Sequence, residues 1–278
     1  LCFPGRLGKS IGHAAQWACG MEVTNHMNQI QIITDAGSDI VDCSRTDLTV
    51  LPMTIRFGDE EYLDGVNLTH RQFYEKMIET QVLPTTSQPS PYAFEAAIRK
   101  IHEQGDIALI ITISSKLSGT WQSANIAAAE TGGEVYIVDS LNVAVGEKAI
   151  VEYALRMKDA GTDIHTIVET LNHEKENLRV IALLDTLEYL QKGGRISKTV
   201  AIAGSLLSIK PVVSVVDGEV ALLGKARGSR QVNNFLIQQI QKDGIDFSRP
   251  FFLGYTGLSD ALLQKYISDS AEIWKEHV

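Results

Sequence analysis

Two rhythms of apolar residues alternate along the chain. Short, β-branched runs of strand length lie at Ile30 to Thr34, Thr49 to Phe57, Ile107 to Ile113, Val135 to Val138, Val180 to Leu184, Lys210 to Val216 and Pro250 to Tyr255. Between them apolar residues recur at helical spacing, as in Phe73, Met77 and Ile78 after a capping Thr69, and in Phe94, Ala97, Ile98 and Ile101. Further helices are predicted over 119–131, 143–160, 163–175, 197–207, 228–242 and 260–274. Strands alternating with helices imply an α/β fold with mainly parallel sheets covered on both faces. Pro52 interrupts its strand and argues for an edge or a bulge. Gly58 to Glu61 reads as a hairpin tip, and Asp217-Gly218 as a second one that returns Glu219 to Leu223 antiparallel. The polar junction Lys175, Glu176, Asn177 and Arg179 divides the chain into α/β domains at 27–177 and 178–278.

Polar positions cluster where strands end. Pro84-Thr85-Thr86-Ser87-Gln88-Pro89-Ser90 holds four hydroxyl side chains in seven residues. Its prolines exclude a helix interior, so the stretch is expected to be a rigid, donor-rich loop. Ser90-Pro91 then reads as an N-cap with proline in the first turn. The run 107–113 delivers a second such segment, Ser114, Ser115, Ser118, Gly119 and Thr120, to another helix start. Unpaired amides and the helix dipole favour an anion at such places. Two hydroxyl loops could converge on one small anionic group outside the carboxyl ends of the strands. Ordinary strand-to-helix connections rich in threonine and serine would read the same way.

Composition narrows the field. The chain has 278 residues, 44% hydrophobic and 21% charged, enough to bury roughly three quarters of its unfolded surface without metal or disulfide. A net charge of −9 makes it a poor ligand for nucleic acid. No apolar run is long enough to span a bilayer, so no stable membrane insertion is expected. Cys2, Cys19 and Cys43 lack metal-like spacing, and so sparse a count suits a reducing cytoplasm. Residues 1–26 read as a leader or appended extension. Their Gly5-Arg6-Leu7-Gly8-Lys9-Ser10 is no phosphate loop, because Phe3 stands where the motif needs glycine. Dispersed histidines give no metal site, and neither a nucleophile elbow nor a dinucleotide fingerprint follows a strand.

The loop 84–90, the segment 114–124, Leu-Gln-Lys-Gly-Gly-Arg-Ile at 190–196 and Thr34-Asp35 occur in one order that resembles the DegV family of bacterial fatty-acid-binding proteins. The resemblance runs from about Met27 to the end. It implies a non-enzymatic carrier that binds a long-chain fatty acid between two domains and presents its carboxylate to a separate fatty-acid kinase. Thr86 and Ser118 would bond the carboxylate directly, with Thr85, Ser87 and the Gly119 amide next. Ile202, Leu206, Leu207 and Ile209 would line the acyl tail, although simple core packing explains them equally. Arg195 would project from its Gly-Gly turn toward the kinase, or merely close a helix. The family's terminal strand and glycine-rich, histidine-bearing segment have no match here, since His277 belongs to a helix end. At about 0.8 kcal/mol per buried CH₂ the tail would set affinity, and the hydroxyl loops orientation. The alternative is a phosphotransferase or hydrolase acting on a small anion at the same loops, for which no general base or metal set is evident.

Overall fold

The computed structural model describes residues 28–41, 44–197, 209–274 and 276–278. Its centre is a four-stranded parallel sheet in the order β2-β1-β6-β7. The strands are β1 (Ile30–Asp35), β2 (Leu48–Leu51), β6 (Ile107–Thr112) and β7 (Val135–Asp139). Alternation along β1 and β6 explains the layers, because successive side chains point to opposite faces. Ile30, Ile32, Leu109 and Ile111 meet α4 (Val145–Asp159) and α5 (Ile164–Glu174), burying Ile150, Val151, Ile167 and Leu171. Ile33, Ala108 and Ile110 meet α2 (Pro91–His102) and α3 (Thr120–Thr131), burying Phe94, Ile98, Ala124 and Ala127. Both faces are covered, so Ile107 to Ile111 can be continuously apolar.

Pro52 does more than mark an edge. It falls between β2 and β3 (Thr54–Phe57), and the chain changes sheets there. β3 pairs antiparallel with β4 (Glu60–Leu63) and with β5 (Thr85–Ser87). α1 (His70–Thr80) packs on this small sheet through Phe73 and Met77, against Ile55, Phe57 and Leu68. Thr69 caps α1 through a full capping box with Gln72, and Ser90 caps α2 with Pro91 in its first turn, as local sequence predicts.

The carboxyl-terminal half carries β8 (Ile181–Leu183), α6 (Glu188–Lys192), β9 (Ile209–Val216), β10 (Glu219–Arg227), α7 (Gly228–Asp243), α8 (Ala261–Asp269) and α9 (Ala271–Trp274). Its sheet, β10-β9-β8, is antiparallel throughout. Among the described strands, parallel pairing is thus confined to the central sheet, and the Asp217-Gly218 hairpin joins β9 and β10 as antiparallel neighbours. The strand expected at Pro250 to Tyr255 has no regular structure and, among the described residues, no strand paired to it. That segment packs instead through side chains. Arg249 pairs with Glu174 at 3.1 Å and lies over the Tyr153 ring, and Lys148 lies over Phe252. The helix expected over 260–274 breaks at Ser270. His277 does belong to the chain end, stacked on Phe247 at 3.6 Å.

Candidate functional site

The strand order places a switch point between β1 and β6. The chain leaves β1 toward β2 and, on its return, lays β6 on the other side of β1. Loops that follow two such strands diverge and open a crevice at their carboxyl ends. Here these are Asp35–Asp39 and Ile113–Gly119.

Residues 113–118 are held from five directions. The Ile113 N–H donates to Asp35 Oδ2 at 2.9 Å, and the Ser114 N–H to the Asn142 carbonyl at 2.8 Å. The Ser115 N–H donates to Asp139 Oδ1 at 3.1 Å. Ser114 Oγ donates to the Gly218 carbonyl at 2.7 Å, and Arg195 Nε to the Leu117 carbonyl at 3.0 Å. The last two partners come from the carboxyl-terminal half. Gly218 has φ of +84°, and a Cβ there would stand 2.6 Å from Ser114 Oγ, so only glycine suits this contact. The segment is a fixed platform, and it ends at the N-terminus of α3.

On that platform Ser118 Oγ lies 2.9 Å from Thr120 Oγ1, and Gly119 occupies the N-cap position of α3 with no side-chain cap. The first turn of α3 therefore lacks the side-chain acceptor that Ser90 gives α2. The other hydroxyl stretch approaches at this point. The Gln88 amide lies over Gly119, where a Cβ would stand. The two stretches singled out in the sequence thus meet through Gln88 and Gly119.

The first stretch is not the loop its prolines suggest. Thr85–Ser87 form β5, with Thr86 opposite Ile55 in the register. Directly opposed residues share a face, so Thr86 lies on the Ile55 face, with Thr85 and Ser87 on the other. All three are exposed. Thr86 and its two neighbours therefore cannot direct side chains to one point; the backbone of β5 sorts them.

Arg195 is also placed differently from expectation. It is exposed, and its guanidinium folds back onto backbone, with Nη1 donating to the Gly193 carbonyl besides the bond to Leu117. Its first visible task is to tie the turn after α6 to the serine loop. Of the tail candidates, Ile209 opens β9, while Ile202, Leu206 and Leu207 lie outside the described residues, as do positions 1–26 and all three cysteines.

Below the platform is a feature that sequence reading passed over. Asp35 and Glu147 are both fully buried, and Asp35 Oδ1 and Glu147 Oε2 face the same small space beside Gly37. Asp35 accepts from the Gly37 and Ile113 amides, and Glu147 Oε1 from Thr34 Oγ1 at 3.0 Å. Burial pushes the Asp35 pKa from 3.8 up to about 6, against the pull of its two N–H donors. Burial, and then the charge of Asp35, hold Glu147 well above the usual carboxylate range. Among the described residues, the buried polar side-chain atoms without a partner are Thr112 Oγ1, Asn142 Oδ1 and Glu147 Oε2. All three sit at this end of the sheet, near the carboxyl ends of β6 and β7. A signal for Glu147 did exist. It shares the apolar stripe of Ile150, Val151 and Ala154 on α4, where a carboxylate has no packing purpose. Among the described residues no cluster of His, Cys, Asp or Glu could hold a metal ion, and no helix is long and apolar enough to cross a membrane.

Comparison with known proteins agrees with this architecture. A DegV domain-containing protein of Caldanaerobacter subterraneus is 35% identical over 225 residues, covering 80% of each chain. A solved DegV family protein from Thermus thermophilus, described for its fatty-acid binding, is 32% identical with a TM-score of 0.71, covering 77% of this chain and 78% of its own. The Streptococcus pneumoniae fatty acid kinase B3 protein, solved with linoleic acid, shares the fold at 24% identity and a TM-score of 0.75, over 89% of each chain. The family model described as "Uncharacterised protein, DegV family" matches residues 29–273, which takes in all three sheets and both hydroxyl stretches, and the chain belongs to that family.

Proposed function

We propose that this protein is a lipid carrier, which binds a long-chain fatty acid and holds its carboxylate where Gln88 meets Gly119. That meeting is the observation that carries the reading. Two donor-rich stretches from distant parts of the chain are brought to one uncapped helix start. Thr86 and Ser118 supply hydroxyl donors, and the Gly119 region supplies amides. Thr85 and Ser87, on the other face of β5, hold the strand and contact solvent. The acyl tail runs between domains 27–177 and 178–278. Support for that course is that Gly218 and Arg195 from the second half grip the serine loop of the first.

The carrier does no chemistry on the acid and hands its carboxylate to a separate fatty-acid kinase in the cytoplasm. Arg195 stands exposed beside the head-group site and can meet a carboxylate of that partner once its backbone bonds are exchanged. Native mass spectrometry of the purified protein, with analysis of its organic extract, tests the reading. One long-chain fatty acid per chain is expected. Preparations from lipid-rich cells that repeatedly carry no acyl chain would remove it.

A further inference from the structure

The carboxylate-binding platform rests on a pair of carboxyl groups, and two carboxylates can offer each other only acceptors. Asp35 Oδ1 and Glu147 Oε2, which face one space beside Gly37, can be joined by a hydrogen bond only when one proton lies between them. Geometry says which group carries it. Asp35 already receives two backbone N–H groups, at 2.9 Å each, as an ionised carboxylate does. Glu147 Oε2 receives none, and it faces the same small space as Asp35 Oδ1. A Cβ on Gly37 would stand 2.7 Å from Asp35 Oδ1, 3.0 Å from Ile113 Cδ1 and 3.2 Å from Glu147 Oε2. The absent side chain at position 37 is what lets the two carboxyls and Ile113 share that space.

We propose that Glu147 donates its proton to Asp35, and that the pair acts as a positioning device whose single proton sets how firmly residues 113–118 present Ser118 and Gly119 to the ligand carboxylate. Asp35 is the link, since its Oδ2 holds the Ile113 N–H, and Ile113 begins the platform. With one proton the pair bears one negative charge. Loss of that proton places two carboxylates in contact in a buried site, which forces them apart and slackens the Ile113 bond. The second negative charge also opposes an anionic head group nearby. Few charges are placed to offset this. Thr34 faces Glu147 from β1 as a neutral donor. Asp39, at the end of the turn after β1, raises Glu147 further, and Lys148 acts on Asp39. Asp139, the last residue of β7, is engaged by the Ser115 and Leu141 amides. Binding of the acid is therefore expected to weaken as pH rises through the titration of the pair, although the fatty acid itself stays ionised.

This proposal rests on the carrier reading for its ligand, so the test has one arm with ligand and one without. Palmitic acid and 1-hexadecanol are titrated into delipidated full-length protein from about pH 6 to about pH 9, the range in which the raised carboxyl should release its proton. Acid affinity of the wild type should fall by about tenfold or more, and alcohol affinity by much less. Glu147→Gln keeps the volume and donates an N–H to Asp35 without titrating, so its acid affinity should be flat with pH. A Gln variant with the wild-type profile overturns the proposal. In the second arm, hydrogen-exchange protection of the Ile113 amide is measured without ligand. It should fall with pH in the wild type, hold in Glu147→Gln and be lost in Asp35→Asn. If Asp35→Asn does not fold, Gly37→Ala crowds the same carboxylate and carries the same expectation. Unchanged Ile113 protection in Asp35→Asn, or in Gly37→Ala where that stands in for it, overturns the proposal even where lipid binds. Failure of both lipids to bind, with the exchange pattern as expected, removes the carrier reading and keeps the pair.

Discussion

Stability itself should carry the mark of the buried pair. The Asp35 pKa rises from 3.8 to about 6 on folding, and Asp35 has no exposed surface, so solvent screening does not dilute the effect. A carboxyl whose folded pKa is raised binds its proton more tightly when folded. Its stabilising contribution is complete below about pH 4 and is lost as pH climbs toward 6. Roughly two units at 1.36 kcal/mol each give a loss of about 3 kcal/mol across that window. Glu147, raised further by burial, extends the decline above it. Asp39 and Asp64 are raised in the same direction, but their solvent exposure makes their share small. The opposing groups act elsewhere. Asp47, beside Arg45 and Lys158, is held well below the usual range, and its stabilising effect is lost only at more acidic pH. Urea unfolding of wild type and Glu147→Gln at half-unit steps from about pH 4 to about pH 8 reads the effect directly. The two proteins should be nearly equal at the acid end. The Gln variant should become more stable than wild type by more than about 1 kcal/mol at the alkaline end, because it no longer keeps a proton against rising pH. A wild-type stability that rises between about pH 4 and about pH 6.5, or parallel curves for the two proteins, would mean that the buried pair does not hold its protons in this way.

Other perturbations probe the platform from its edges. Gly218→Ala should cost about 1–3 kcal/mol in denaturant unfolding, because it adds a Cβ 2.6 Å from Ser114 Oγ at a φ of +84°; a neutral result would mean that this contact is loose in solution. Arg195→Met should lower stability by about 1–2 kcal/mol and weaken acid binding severalfold, since it removes two bonds to backbone carbonyls, one of them on Leu117. Arg195→Lys should not restore either property, because an ammonium cannot span both carbonyls in the fork geometry. Thr86→Val with Ser118→Ala should weaken palmitic acid about 10- to 100-fold and 1-hexadecanol much less in calorimetric titrations; equal losses would assign these residues to packing.

Much of this arrangement is written locally. The capping box at Thr69, the Ser90-Pro91 helix start, the continuous run of β6 and the Asp217-Gly218 hairpin all depend on neighbours within a few residues. Short-range sterics and hydrogen bonding decide such features, so the chain announces them. The two hydroxyl stretches were visible for the same reason, as clusters of one residue type beside turn residues.

What sequence could not reveal are choices made between distant segments. Pro52 marks an interruption, but only sheet pairing shows that the chain passes there from the parallel sheet into an antiparallel one. Thr85–Ser87 have the donors of a loop, and become a strand because β3 offers an edge. Pro250 to Tyr255 have the composition of a strand, and remain irregular, with no strand paired to them among the described residues. Strand formation requires a second strand, and composition cannot supply one. Arg195 finds Leu117 across 78 residues, and Glu147 finds Thr34 across 113. A residue alone does not reveal which carboxyl it will be buried beside or which backbone its guanidinium will fold onto. Burial and the identity of the facing group settle both, and these exist only once the sheet has brought its carboxyl ends together.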